Sequence, residues 1–208
     1  SGCHRLSEIA ARMGKPSTHL SGVLAFLTDL KYVRREIPFG ESLRSTKKTL
    51  YKINDSFLDF WFTFVVPEKS RIDLGLTFQV IKKIKNRLPS FTAGAWEELC
   101  RQSVPFIIQD REFKPAGRWW GKGTDRKQME IDVVAESSDG KSILVGESKW
   151  TDQTDITGES AVLKEKARNL PFIKRHKIIP VLFLKNKPAV LPSEVTVFGP
   201  EDVVEALK

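Results

Sequence analysis

The 208-residue sequence is short of the residues that most often announce a site. It holds two cysteines, Cys3 and Cys100, and three histidines. The cysteines have neither metal-ligand nor disulfide-framework spacing. That argues against a zinc module or a stapled secreted fold and makes a reducing cytoplasm the expected compartment. His19 has no second His or Cys suitably placed, so it reads as a polar surface residue rather than a metal ligand. Long apolar runs are also missing. The longest, Phe57 to Val66, contains Asp59 and is too short to span a bilayer, and no signal-peptide pattern occurs. A lone Gly-Lys-Gly at 121–123 lacks the spacing of a phosphate-cradling loop, so ATP binding is not assigned to this chain. There is no Gly-x-Ser-x-Gly elbow, and strand alternation puts Ser148 on the opposite face from Lys149, against a serine hydrolase. Ser1-Gly2 reads as a cloning scar. The helical pattern starts almost at once, as expected for a piece of something longer.

What the sequence does have is a 40% hydrophobic share, enough for a globular core. Its net charge of +8 is unevenly spread. Residues 1–70 carry 11 basic and 7 acidic groups, residues 71–128 carry 12 and 6, and residues 129–208 carry 11 and 13. A basic flank suits a phosphate backbone, and an acidic pocket suits a metal. The alternative is a solubility charge with no partner.

The stretch from Met129 to Trp150 is the centre of the sequence. Two apolar, β-branched runs flank Asp139-Gly140, a strong hairpin signal. With those two residues central to a tight turn, Ser138 faces Lys141, Ala135 faces Leu144, Asp132 faces Glu147 and Glu130 faces Lys149. Alternation then gathers Glu130, Asp132, Glu147 and Lys149 on one face, and Ile131, Val133, Ala135 and Leu144 on the other. Two opposed carboxylates repel, and a divalent cation between them converts that cost into binding. The expected cofactor is Mg²⁺ or Mn²⁺, held by Asp132 and Glu147. Lys149 would orient a water and stabilise charge developing on a phosphate. The alternative is a solvated hairpin face on which Lys149 neutralises Glu130.

Along the chain, the pattern predicts a helix over Leu6–Gly14, capped by Ser7, with a stripe of Ile9, Ala10 and Met13. A second helix over Ser17–Leu30 aligns Leu20, Val23, Leu24, Leu27 and Leu30. Strands follow at Tyr32–Arg35 and Thr49–Ile53. This is the layout of a winged helix, whose second helix enters the major groove in DNA-binding versions. Ser17, Thr18 and His19 at the start of that helix, and Arg44, Lys47 and Lys48 in the wing, are candidate DNA contacts. A winged helix used only for protein packing is the alternative.

Ser56–Val66 reads as an aromatic helix packing two modules together, closing a first domain at residue 68. Helices are expected over Leu76–Leu88 and Phe91–Gln102. Glu97 lies at the edge of the second helix's apolar stripe and can project toward a sheet. Phe113–Trp120 is expected to end as a strand, with a Gly- and Lys-rich loop over 121–127. Then come a helix over Ile156–Asn169, a buried strand over Ile178–Leu184, a strand over Val195–Phe198 and a helix over Pro200–Leu207. The fold class is α+β: a winged helix-turn-helix over residues 1–68, then an α/β domain with a mixed central sheet over 69–208.

A helix acid, a strand Asp and Glu-x-Lys on the next strand resemble the restriction-endonuclease-like, PD-(D/E)xK, nucleases. The winged helix, the aromatic helix, Gly-Arg-Trp-Trp at 117–120, Glu-Ile-Asp-Val-Val-Ala at 130–135 and Gly-Glu-Ser-Lys-Trp at 146–150 resemble the C-terminal region of archaeal-type AAA ATPases. There a nuclease-like domain of unknown function follows the ATPase. The resemblance implies metal ligands at Asp132 and Glu147, with Glu130 supporting the metal or pairing with Lys149, a catalytic lysine at Lys149 and a further acid at Glu97, within Gly94-Ala95-Trp96-Glu97. It implies DNA as substrate, and an ATPase domain that this chain lacks as partner. Ile131 stands where the superfamily motif has Pro.

Overall fold

A computed structural model describes residues 4–42, 44, 46, 48–173 and 175–208. Its contacts divide the chain into two compact units. The first comprises residues 1–37 and 41–88, and the second 38–40 and 89–208. The division falls after Leu88, so residues 69–88 group with the first unit.

The first unit opens with α1 (Leu6–Met13). Gly14 ends it in the left-handed conformation that glycine adopts without steric cost, at φ 61°. The expected cap, Ser7, lies inside the helix. Arg5 is the N-cap, and the Glu8 carboxylate accepts its backbone N–H at 3.1 Å. Helix α2 (Ser17–Asp29) buries Leu20 and Leu24. Val23 and Leu30, expected on the same stripe, stay 52% and 48% exposed, because so small a unit covers little of a wide apolar face. Strands β1 (Val33–Glu36) and β2 (Leu50–Ile53) pair antiparallel, with Val33 opposite Ile53 and Glu36 opposite Leu50.

The aromatic run begins as α3 (Ser56–Phe60), capped by Asp55, which accepts the Leu58 N–H at 2.7 Å. It widens to a π-helical turn over Trp61–Val65 and tightens to a 3₁₀ turn over Val66–Glu68. Phe64 is buried, while Phe57, Trp61 and Phe62 are exposed. A short α4 (Lys69–Asp73) precedes α5 (Thr77–Ile107). The two helices expected here are one: α5 runs through Pro89 and Pro105. Proline deletes a single helical hydrogen bond and its own φ is helical. Burial of Trp96, Cys100 and Val104 offsets the loss.

The second unit carries a five-stranded sheet in the order β3-β4-β5-β6-β7. The strands are β3 (Gly117–Lys122), β4 (Gln128–Glu136), β5 (Ser142–Lys149), β6 (Lys177–Leu184) and β7 (Thr196–Phe198). The β3–β4 and β4–β5 pairs are antiparallel, and the β5–β6 and β6–β7 pairs are parallel. The mixed sheet of an α+β protein is thus present. Phe113 lies outside β3 and makes an isolated bridge to Ser137. Helix α6 (Ile156–Arg168) covers one face, packing Leu163 and Ala167 against Ile131, Ile143, Val145, Leu182 and Val197. The unit-2 part of α5 and α7 (Pro200–Ala206) cover the other, packing Trp96, Cys100, Val104 and Val203 with Val133, Leu144, Val181 and Phe183. No helix among the described residues is long and apolar enough to cross a membrane.

Candidate functional site

The β4–β5 hairpin has the expected register, with Ala135 opposite Leu144. Its turn is longer than two residues. Ser137 donates its N–H to the Ser142 carbonyl at 2.9 Å, so Ser138 and Lys141 belong to the loop. Asp139 shapes that loop by accepting the Ser137 hydroxyl at 2.6 Å and the Lys141 N–H at 3.0 Å.

At its open end the hairpin departs from a regular ladder. Pairing with β5 stops at Val133 opposite Gly146, and pairing with β3 resumes at Ile131 opposite Trp119. Between Gly117 and Trp119 the β3 register shifts against β4, which spends one extra residue there. Such a bulge re-aims side chains and leaves one residue outside the ladder. Here Asp132 has no ladder partner among the described pairs. Val133, Ala135 and Leu144 share a face as expected, and the bulge overturns the assignment for Ile131. Ile131 packs on the α6 face with Val134, while Val133 and Ala135 pack on the opposite face.

The freed groups of Asp132 find other partners. Its carbonyl accepts Arg101 Nη1 at 3.0 Å. Its carboxylate accepts the backbone N–H and the hydroxyl of Ser148 at 3.0 and 3.2 Å. Arg101 is a buried cation of α5, bonded to Glu98 at 2.9 Å and 3.9 Å from Glu97. Glu97 therefore sits one arginine away from the Asp132 backbone. Glu98 shares the same guanidinium.

Glu147 and Lys149 stand on the α6 face of β5, and α6 meets each with an opposite charge. Lys166 Nζ lies 3.0 and 3.2 Å from the two Glu147 oxygens. Glu159 lies 3.2 Å from Lys149 Nζ, which is also 3.8 Å from Glu147. Burial and the charge of Asp132 push the Glu147 carboxyl up to about 7, against the pull of Lys166 and Lys149. For Lys149, burial works to lower the pKa. The Glu159 bond and the charges of Glu147, Glu159 and Asp132 outweigh it and hold the ammonium above its usual value.

Glu130 does not meet Lys149 as expected. The β4–β5 ladder has already ended, and Glu130 pairs across β3 with Trp120 while bonding Arg118. Arg118 also lies over the Trp120 ring, 5.7 Å from its centroid. Among the expected DNA contacts, Thr18, His19, Arg44 and Lys48 are exposed and Ser17 is half-buried, all in the first unit. Lys48 is ion-paired with Glu41. Lys47 lies outside the described residues.

Arg101, Glu159 and Lys166 escaped the sequence reading. Glu159 and Lys166, two helical turns apart, look like any charged helix face until α6 is laid against β5.

The second unit is thus an α/β domain with a carboxylate–lysine site at a bulged hairpin end. Residues 61–167, just over half of the chain, match the DUF234 family, archaeal and bacterial proteins of unknown function. The chain belongs to that family. An uncharacterized protein of Methanocaldococcus jannaschii is 31% identical over 161 residues, which covers 74% of this chain and 34% of that protein. The chain therefore spans about a third of the length of the curated relative it matches. No solved structure matches.

Proposed function

We propose that the second unit is a metal-dependent nuclease domain of the PD-(D/E)xK type, hydrolysing DNA phosphodiesters. The observation that carries this reading is Glu147, a part-buried carboxyl raised by burial and by the neighbouring charge of Asp132, with Lys149 on the same strand. Two carboxylates that repel each other are a costly arrangement in a purely structural hairpin, and they suit a hard cation. Among the described residues no group of three or more His, Cys, Asp or Glu is placed to hold a metal. Two carboxylates plus substrate phosphate and water are a sufficient donor set for Mg²⁺ or Mn²⁺.

Asp132 and Glu147 would hold the cation. Glu130, engaged by Arg118, falls outside that pair. When bound, the cation supplies a Lewis acid and lowers the pKa of a water. Ser148 fixes the Asp132 carboxylate through two hydrogen bonds. Lys149 presents an ammonium to the charge that develops on the phosphate, and Glu159 fixes its position. Glu97 reaches the site through Arg101.

The opening of the first unit, α1 and α2 followed by the antiparallel β1–β2 pair, supports a winged helix-turn-helix reading with salt-sensitive phosphate contacts from Ser17, Thr18, His19, Arg44, Lys47 and Lys48. The greater length of the relative leaves room for the AAA ATPase domain that the sequence resemblance implies as a partner. The expected compartment is the cytoplasm.

The test is Mg²⁺- or Mn²⁺-dependent nicking of plasmid or branched DNA by the wild type, lost in Asp132→Ala and Lys149→Ala proteins. Undiminished cutting by both variants refutes the assignment. A second reading, a non-catalytic DNA-binding or regulatory module, draws on Lys166, whose ammonium itself neutralises Glu147. DNA affinity fully retained in EDTA, with no nicking in either metal, supports it.

A further inference from the structure

Helix α6 lays two charges, Glu159 and Lys166, against the two charges of β5. The pairing is selective. Lys166 is 3.0 and 3.2 Å from the two oxygens of Glu147, whereas Lys149, closer in sequence, is 3.8 Å away and turned to Glu159 at 3.2 Å. One ammonium therefore occupies both oxygens of the carboxylate that a divalent cation would need.

We propose that Lys166 is the resident counter-ion of Glu147 and gives up the carboxylate when a divalent cation binds, so that it sets the affinity of the site for the cation. The inference rests on the reading of Asp132 and Glu147 as a cation-binding pair. Without any positive partner the two carboxylates repel each other across the bulge, so the metal-free fold needs a substitute charge. A lysine suits the part. Its ammonium is a compact point charge on a flexible four-carbon stem, and the Lys166 side chain is 26% exposed, which leaves it a path to swing away. Binding must break a charge-assisted hydrogen bond on both oxygens, and the cation's apparent affinity falls by what that bond is worth.

The test is titration of the full chain with Mn²⁺, without DNA, at one fixed pH above neutrality, reading free Mn²⁺ by electron paramagnetic resonance. Lys166→Met is expected to bind Mn²⁺ about tenfold tighter than the wild type. Lys166→Arg keeps a cation on Glu147 and is expected to stay near the wild type. Lys164→Met removes the same formal charge from the same helix but from a partner of Glu194, and is expected to change nothing. Unchanged or weaker binding by Lys166→Met overturns the proposal, as does an equal gain in Lys164→Met, which reduces the effect to overall charge. Mn²⁺ binding that survives Asp132→Asn combined with Glu147→Gln, or that is absent from both the wild type and Lys166→Met, overturns the cation-pair reading as well. Wild-type binding that depends on the pair, with Lys166→Met unchanged, overturns this inference alone.

Discussion

Asp132 accepts hydrogen bonds from both the backbone N–H and the hydroxyl of Ser148, at 3.0 and 3.2 Å, where the β4–β5 ladder has ended. A side chain thus supplies the acceptor that the partner strand no longer provides. Asparagine keeps an oxygen there and alanine does not. Asp132→Ala strands the Ser148 N–H in a part-buried site and should cost about 1–3 kcal/mol, while Asp132→Asn retains most of the stability. Urea unfolding of the two variants checks this, and equal midpoints would show that the bond contributes nothing to the fold.

Glu147 gives the stability a pH slope of unusual sign for a carboxylate. Its carboxyl is raised from 4.5 to about 7 in the native state, by burial and by Asp132. Between those values the folded chain keeps a proton that the unfolded chain releases. Raising the pH therefore favours unfolding, and the contribution is lost as pH climbs through about 7. The expected difference is about 3 kcal/mol between mildly acidic and mildly alkaline solution. Glu147→Gln removes it. The check is urea unfolding of both proteins in EDTA on either side of neutrality. A wild-type slope no steeper than that of the Gln variant would place the Glu147 pKa at its ordinary value.

The hairpin register was legible because turn chemistry and alternation act locally. Asp139-Gly140 marks the reversal, Gly140 takes φ 68°, and Ala135 meets Leu144 as counted. The bulge at Asp132 was not legible. One extra residue leaves the same alternation of apolar and polar letters on either side, and only the partner strand reveals the shift. Alternation alone therefore sets Ile131 with Val133 and Glu130 beside Lys149, whereas Ile131 packs on the α6 face and Glu130 bonds Arg118. Glu159 and Lys166 were hidden for a different reason. Their pairing depends on how α6 docks, and no local pattern encodes it. Pro89 misled in the opposite direction, since a strong local breaker lost to the packing of a long helix.

Gly146 is the last β5 residue paired with β4, opposite Val133. Its φ is ordinary, and the constraint on it is steric. A Cβ there would meet Val133 Cβ at 3.1 Å, Phe183 Cε2 at 3.3 Å and the Val181 carbonyl at 3.4 Å. Val133, Val181 and Phe183 are all fully buried, so none can move aside cheaply. Gly146→Ala should destabilise by about 1–3 kcal/mol through overpacking. It should also disturb the strand two residues before the carboxylate–serine bond. A parallel Val133→Ala change ought to recover part of the loss, and a double-mutant cycle in thermal unfolding measures that coupling. A neutral Gly146→Ala would mean that the strands part freely here.

Cys100 is fully buried against the sheet, in the cluster that holds Trp96, Val104 and Phe183. Burial drives its thiol well above the usual range, against the charge of Arg101, and the charges of Asp132 and Glu97 add to the rise. The thiolate is the reactive form, so the native side chain is protected both by access and by protonation. With Cys3 changed to Ser, the native chain should not react with a thiol reagent on the timescale of a free cysteine. Labelling should begin only where urea opens the domain, and its rate should follow the unfolding curve. Rapid labelling of the native variant would mean that the face formed by α5 opens locally, and the Arg101 link to Asp132 with it.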